Sequence, residues 1–505
     1  MRGSPGTAAS FDFRGMAAII TSMHGTTRRR LRATKIIATL GPATEDPEVL
    51  RELIESGMNV ARINASHGDH EGHARTIAAV RKIARETGRP VGILLDLQGP
   101  KIRLGPLPSP RELAPGEIFN IAVGRPPGDD ELSSDYDMLD RDVAVGDPLL
   151  IDDGQISCEV VEAQIGTVTC RVNHGGTVHP RKGINLPRSS VSAPAITEKD
   201  RADALFAVKQ GVDYIALSFV RRARDVLQLG RILDEAGSSI PIISKIEKPQ
   251  ALVELQEILR ASWGVMVARG DLGVELPPEQ VPVVQKRIIQ EAVRAGRRVI
   301  TATQMLDSMT RNPKPTRAEA SDVANAVLDG TDAVMLSNET AMGQFPVHAV
   351  RMMRDIIEYT ENHSVRPTEA GEGHSVDSMS EAVADAGCLV AHNLGAQSIV
   401  AFTQSGHTAL LASRRRPGLP ILAFTTSEEV RDRLTLVWGV RPYCMEPAQS
   451  TDDLIEALDA TIQADDLARR GDPLVLLMGA PTHRMGLTNL MLVYRVGSWA
   501  PLEGE

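Results

Sequence analysis

Eight short runs that are apolar almost throughout recur along this chain: Lys35–Leu40, Asn59–Ile63, Val91–Leu95, Tyr214–Ser218, Pro241–Ile246, Gly264–Ala268, Val299–Ala302 and Ala333–Leu336. Stretches with helical apolar spacing follow them, such as Pro47–Ser56 (Leu50, Leu53 and Ile54 on one side) and Val281–Ala295. Continuous rather than alternating apolar runs suit strands covered on both faces, as parallel strands are when helices pack on them. Eight strand–helix units in succession predict a (β/α)8 barrel, the TIM-barrel architecture.

One interval breaks the rhythm. Between Leu95 and Tyr214 lie Pro- and Gly-rich turns (Gly105–Pro110, Gly124–Gly128) and alternating patterns such as Ile156–Val161 and Thr167–Val172. That texture predicts a small β-barrel domain inserted in a barrel loop. Beyond residue 360 a polar linker leads to further strands at Ser398–Phe402, Pro420–Phe424, Arg441–Met445 and Pro473–Met478. Five or so strands are too few for a second barrel, so an open α/β sheet is expected. The expected domains are an N-terminal extension (1–33), the barrel (34–103 and 191–362), the inserted β domain (104–190), a linker (363–380) and a C-terminal α/β domain (381–505). The extension, with its basic run Arg28–Arg32 and further methionines at Met16 and Met23, is expected to be solvated and disordered.

Bulk properties exclude several classes. A net charge of −10 argues against a nucleic-acid binder. No apolar stretch reaches the ~18 residues of a membrane span. Cys158, Cys170, Cys388 and Cys444 are scattered and read as reduced thiols of a cytoplasmic protein, not as a disulfide framework or zinc site.

The active site of such a barrel lies at the C-terminal strand ends, and those ends carry polar residues. They read Thr39, Arg62-Ile63-Asn64-Ala65-Ser66-His67, Asp96-Leu97-Gln98-Gly99-Pro100-Lys101-Ile102-Arg103, Ser218-Phe219, Lys245-Ile246-Glu247, Arg269-Gly270-Asp271, Thr301-Ala302-Thr303-Gln304 and Ser337-Asn338-Glu339. Glu247 and Asp271 are hard oxygen ligands suited to Mg2+ or Mn2+. Lys245 is a point charge for a transferring phosphoryl group or a developing enolate. Arg62 and Arg103 are planar forks matched to phosphate. Gly270 admits close backbone approach, and Thr303 can hydrogen-bond a carboxylate. Together these residue types point to phosphoryl transfer involving a small carboxylate.

Ser244–Glu247, Met266–Glu275, Thr301–Met309, Asn312–Glu319 and Asp329–Ser337 resemble the motifs of pyruvate kinases, and the resemblance runs from about Thr34 to the C-terminus. It implies transfer of phosphate from phosphoenolpyruvate to ADP, giving pyruvate and ATP in a homotetrameric glycolytic enzyme. It also implies roles. Lys245 stabilises the transition state, Glu247 and Asp271 hold the divalent ion, and Arg62, Gly270 and Thr303 contact phosphoenolpyruvate. Asn64 and His67 lie near the phosphates, while Arg103 and Lys182 approach the nucleotide, Lys182 from a lid formed by the inserted domain.

The third strand departs from the common family pattern Asp-Thr-Lys-Gly-Pro-Glu-Ile-Arg. Leu97 removes a hydroxyl, and Lys101 puts an ammonium where a carboxylate helps to hold K+. The chain therefore resembles the K+-independent branch, although Asn64, Ser66 and Asp96 keep the outline of a monovalent site. In the last domain Thr403, Ser405, Gly406 and Thr408 form a loop that opens a helix, where backbone amides favour anions. A sugar phosphate or AMP is the expected effector class there, with Gly479–Asn489 closing over it and an ordinary helix cap as the alternative. Arg414-Arg415-Arg416 is expected to be a solvated helix end or part of that pocket. Two competing functions are another barrel enzyme of phosphoenolpyruvate or pyruvate chemistry, and a catalytically silent scaffold. Lys182 and Arg103 argue against the first, and retention of Lys245, Glu247, Asp271 and Thr303 against the second.

Overall fold

The computed structural model of the chain describes residues 32–189, 191–363, 378–481 and 486–499. Most of the expected extension and linker, and residues 482–485 of the segment Gly479–Asn489, lie outside these residues.

Eight parallel strands close into a barrel: β1 (Lys35–Thr39), β2 (Val60–Asn64), β3 (Gly92–Asp96), β4 (Tyr214–Leu217), β5 (Ile242–Ile246), β6 (Gly264–Ala268), β7 (Arg298–Ala302) and β8 (Ala333–Leu336). Each neighbours the next, and β8 returns to pair with β1 (Lys35 opposite Ala333). The apolar runs are buried on both sides because alternate residues serve two cores. Ile37, Val60, Leu94, Ile243, Met266 and Ile300 fill the barrel interior, with Leu436 of the C-terminal domain joining them. Their neighbours Ile36, Ile93, Val265 and Val299 pack under the surrounding helices.

Local chemistry sets the helix ends. Pro47–Ser56 begins on Asp46, whose carboxylate accepts the Glu48 N–H, and stops at Gly57. Arg317–Asp329 starts with a capping box between Thr316 and Glu319. Glu319 also accepts from the Ser308 N–H and Oγ–H, which ties the loop after β7 to that helix start.

The inserted segment has its own core, with Leu113, Phe119, Ile121, Leu149, Ile151, Val160, Val168 and Val172 buried together. Its six-stranded sheet runs, edge to edge, Ile184–Asn185, Pro148–Ile151, Ile156–Gln164, Thr167–His174, Ile118–Ala122 and Leu132–Ser133. The two edges meet through the chain that enters the domain: Arg103 bridges Gly183 beside one edge and Leu104 bridges Ser134 beside the other. The sheet thus curls into the small barrel expected from its alternating pattern.

The C-terminal sheet is open, in the order Val440–Cys444, Ile421–Thr425, Ile399–Phe402, Pro473–Met478 and Leu490–Arg495. The last strand is antiparallel to its neighbour. Its side chains alternate in exposure, as an edge strand's do, so it lacks the continuous apolar signal that marks the three inner strands.

Two expectations change. Arg32 is not a solvated end of the basic run. Its guanidinium donates to the carbonyls of Thr34 and Gly57 and to Asn59 Oδ1 (2.6–2.7 Å), because the C-terminal end of the helix Pro47–Ser56 and the turn after it offer acceptors that the fork fits. Nor is Arg414–Arg416 solvated or part of the Thr403–Thr408 loop pocket. Arg415 pairs with Asp385, and Arg414 and Arg416 turn toward the barrel.

Candidate active site

Adjacent strand ends bring a charged network together on the barrel rim. Lys245 Nζ, at the end of β5, lies 2.9 Å from Glu247 Oε1 and 3.4 Å from Asp96 Oδ1 at the end of β3. It also donates to Ser218 Oγ at 2.8 Å. Arg62 at the end of β2 donates through Nε to Asp96 Oδ2 (2.7 Å) and through Nη1 to Thr39 Oγ1 (2.9 Å). Both Asp96 oxygens are therefore engaged by cations. Asp96 is the anionic bracket that holds Arg62 and Lys245 side by side, beyond the monovalent-ion role read from the sequence.

Burial and charge compete at each of these groups. Desolvation alone would lower the Lys245 pKa, but Asp96 and Glu247 outweigh it, so the ammonium is held charged well above its ordinary value. Burial would raise Asp96, yet Lys245 and Arg62 bring it below the usual carboxylate range. Glu247 moves the other way: burial raises it, Lys245 opposes, and Asp271 nearby raises it further.

Glu247 fits a cation. Its Oε2 accepts the Phe219 N–H at 2.7 Å, whereas the buried Oε1 has only the ion pair with Lys245, outside hydrogen-bond geometry. Two neighbouring carboxylates and a free lone pair suit Mg2+, which takes few protein ligands and leaves positions to water and substrate. No group of three or more His, Cys, Asp or Glu is placed to hold a metal among the described residues.

Backbone conformation aims the remaining donors. Phe219 (φ 54°), Thr303 (φ 68°) and Gln304 (φ 53°) adopt the left-handed region that side-chain-bearing residues avoid, and Thr303 is β-branched. Arg269 holds the Thr303 turn by donating to the Thr303 carbonyl (2.7 Å) while paired with Asp322 (2.6 Å). Glu339 at the end of β8 accepts the N–H groups of Leu306 and Ser337. The result is that Thr303 Oγ1 accepts the Gly270 N–H at 2.7 Å and donates to the Ala302 carbonyl. Arg269 reads from sequence as rim chemistry, but it is a positioning residue.

The other candidates form separate groups. Asn64 Oδ1 accepts the Ser66 N–H in the loop after β2, and His67 is exposed beside it. His70 and His73, at the start of the following helix, pack against Phe206. Lys182 pairs with Asp152 (2.8 Å), Lys101 approaches Asp153 (3.8 Å), and Arg103 donates to the Arg181 carbonyl (3.2 Å). These three cations gather where the inserted domain leaves the barrel.

One cluster was not legible. Asn185 of the inserted domain donates to Glu275 Oε1 (3.0 Å), and Lys248 pairs with the same carboxylate. Glu275 ends the helix Arg269–Glu275 that carries Asp271, and Lys248 follows Glu247. The inserted domain is thereby fastened to both elements bearing the carboxylates. Glu275 stands at the end of the motif Met266–Glu275, but no spacing rule connects it to Asn185.

A rim of this kind, with a fixed ammonium between carboxylates, an arginine fork and paired donors, defines a barrel phosphotransferase. Residues 31–350 match the family model described as pyruvate kinase, barrel domain, and residues 381–494 match pyruvate kinase, alpha/beta domain. The chain is 46% identical to the pyruvate kinase of Sporosarcina psychrophila over 92% of its own length and 81% of that protein's. It is also 46% identical to the pyruvate kinase of Mycobacterium tuberculosis strain H37Rv, over 92% and 99% respectively. The crystal structure of a pyruvate kinase from Cryptosporidium parvum superposes with a TM-score of 0.87 at 39% identity, covering 92% of this chain and 96% of that one. The chain belongs to the pyruvate kinase family, a family of phosphotransferases that use phosphoenolpyruvate and ADP and generally Mg2+.

Proposed function

We propose that the Asp96–Lys245–Glu247–Arg62 network transfers the phosphoryl group of phosphoenolpyruvate to ADP and then guides protonation of the enolate. The observation that carries this reading is the Lys245 ammonium, clamped between two carboxylates while its neighbour Glu247 Oε1 keeps a free lone pair. Lys245 and Arg62 face the phosphoryl oxygens and spread charge that grows in the transition state. The Gly270 N–H, which donates to Thr303 Oγ1 in this structure, and the Thr303 hydroxyl, which donates to the Ala302 carbonyl, turn to the substrate carboxylate, and Thr303 stands on the route of the proton. Glu247 and Asp271 would hold Mg2+ (or Mn2+), which supplies Lewis-acid stabilisation of phosphoryl and enolate oxygens. Arg103 and Lys182, with Asn64 and His67 opposite, bind the ADP/ATP phosphates as the inserted domain closes as a lid.

The finer readings rest on particular residues. Activity does not require K+, since both Asp96 oxygens already have cationic partners and Lys101 carries an ammonium of its own at the lid junction. Thr403, Ser405, Gly406 and Thr408 take the phosphate of a sugar phosphate or AMP. Gly406 (φ 85°) lets the loop turn, and Thr408 Oγ1 meets Thr488 Oγ1 of the facing segment at 2.8 Å. The edge strand Leu490–Arg495 presents Met491 and Val493 outward, as a subunit contact of a homotetramer does. All four cysteines are free thiols, which fits the cytoplasm, and no helix among the described residues is long and apolar enough to cross a membrane.

The test is an ADP- and phosphoenolpyruvate-dependent pyruvate assay with Lys245→Met, run in tetramethylammonium and in potassium buffers. We expect kcat to fall at least ~10³-fold, with wild-type rates in the two buffers within about twofold. A Lys245→Met enzyme near wild-type rate removes Lys245 from its role, and strong potassium stimulation removes the K+ reading.

A further inference from the structure

Four arginines meet in a cleft on the side of the barrel opposite the rim. Arg297 and Arg298 lead into β7, and Arg414 and Arg416 come from the end of the C-terminal-domain helix His407–Arg414. Each guanidinium donates through one terminal nitrogen. Arg298 stacks on Trp263 (4.6 Å) and Arg416 on Trp438 (4.5 Å). Arg416 also donates to Asp332 (2.7 Å), Arg414 to Glu381 (3.1 Å), and Arg297 to the Arg260 carbonyl (3.2 Å).

Donors remain. Arg414 Nε and Arg416 Nη1 are buried with no acceptor among the described residues. Of the four guanidiniums, Arg414 pairs with Glu381 and Arg416 with Asp332, with Glu361 acting on Arg416 from farther away. The crowding registers in the arginines themselves. Burial first, then Arg414, lowers the Arg297 pKa, and burial with Arg297 and Arg416 among its neighbours pushes Arg298 down to about 10. Gly296 (φ 65°) completes the cleft: a Cβ there would stand 3.0 Å from Arg414 Nε, so the bare backbone lets that guanidinium lie against the loop. Unpaired buried N–H donors of like-charged groups are costly, and a multivalent oxyanion offers acceptors and charge at once.

We propose that this cleft binds a phosphate-class oxyanion, free or as the head of a phosphomonoester, and that the ligand clamps the C-terminal domain to the barrel. It is separate from the rim, because its residues precede β7 and β8 rather than follow them, and from the Thr403–Thr408 loop at the other end of its helix. Arginine forks, not lysines, face the cleft, which favours a tetrahedral anion held by several parallel N–H bonds.

The test is isothermal titration of the full-length protein with inorganic phosphate, sulfate and glycerol 2-phosphate in a chloride buffer. It uses wild type, Arg297→Gln, Arg297→Gln/Arg414→Gln, and Thr408→Ala. Wild type should bind one anion per chain at this cleft. Affinity should weaken about tenfold in the single variant and further in the double, as expected for lost charge-assisted bonds. Pyruvate formation in phosphate-free buffer should be unchanged in both arginine variants. Tighter binding of glycerol 2-phosphate than of phosphate identifies an esterified ligand, and the reverse a free anion. The proposal is overturned if the single Arg297→Gln variant binds like wild type, if only Thr408→Ala loses the anion, or if binding needs crystal-scale concentrations and marks an adventitious ion only. Arg297 is tied to the fold by one exposed bond, so its variant keeps the test open should the double variant misfold.

Discussion

Gly270→Ala separates the stability of this enzyme from its chemistry. A Cβ at Gly270 would meet Thr303 Oγ1 at 3.5 Å, Thr303 Cβ at 3.6 Å and Thr303 Cγ2 at 3.8 Å, all ordinary van der Waals contacts. Its backbone is not left-handed, and it sits in the first turn of the helix Arg269–Glu275. Alanine restricts the unfolded chain at such a position, so the folded state should gain about 0.4–1 kcal/mol. The same methyl group points to where Gly270 N–H and Thr303 Oγ1 converge, the place assigned to the substrate carboxylate. Forcing one methyl into a filled site costs about 1–3 kcal/mol, which converts to a roughly 5- to 150-fold loss in kcat/KM for phosphoenolpyruvate. Thermal melts and steady-state kinetics on one preparation decide the matter. A melting temperature equal to or above wild type with the predicted kinetic loss is expected. Wild-type kcat/KM within twofold would refute the placement of substrate against Gly270, and a melting temperature several degrees lower would refute the packing argument.

Arg81 pairs with Asp213 of the barrel (2.8 Å) and Asp432 of the C-terminal domain (2.9 Å), and Asp213 is only 3% exposed. Burial, opposed by Arg81, pushes the Asp213 pKa up to about 7. A carboxyl raised in the folded state adds most stability below its unfolded value near 4 and loses it as pH rises through about 7. Removing the cation in Arg81→Met should therefore cost about 3–5 kcal/mol at pH 8 and much less at pH 5.5. Melting curves at the two pH values measure this, and an equal deficit at both would show that Arg81 acts by packing alone. Asn185→Ala should raise KM for ADP about fivefold or more, from a lost bond to a buried carboxylate. Its melting temperature should stay close to wild type, since Lys248 still pairs with Glu275; an unchanged KM would free the lid from this latch.

Much of the site was legible because rim chemistry lies close in sequence to strand ends. Lys245 and Glu247 share a strand face, and Asp271 follows the next strand, so period-two spacing and barrel order alone set them side by side. What escaped depends on contacts between distant segments. Arg269 read only as one polar residue of the rim, and it turns to Asp322 and the Thr303 carbonyl. Asp96 read as part of a monovalent-ion site, and its role as the bracket that holds Arg62 and Lys245 was not visible. The run Arg414–Arg416 suggested solvent, because the barrel residues it faces lie some hundred positions away.

Sequence by itself determined the architecture, the family and the residue types at the rim, because hydrophobic period and strand-end composition are local properties. Only the tertiary structure decided which charges neutralise one another, which backbone turns are held left-handed, and how the inserted domain is fastened at Asn185. The reason is the steep distance dependence of charge and hydrogen bonding in a low-dielectric interior. A few ångströms, which no spacing rule specifies, separate a ligand from a bracket.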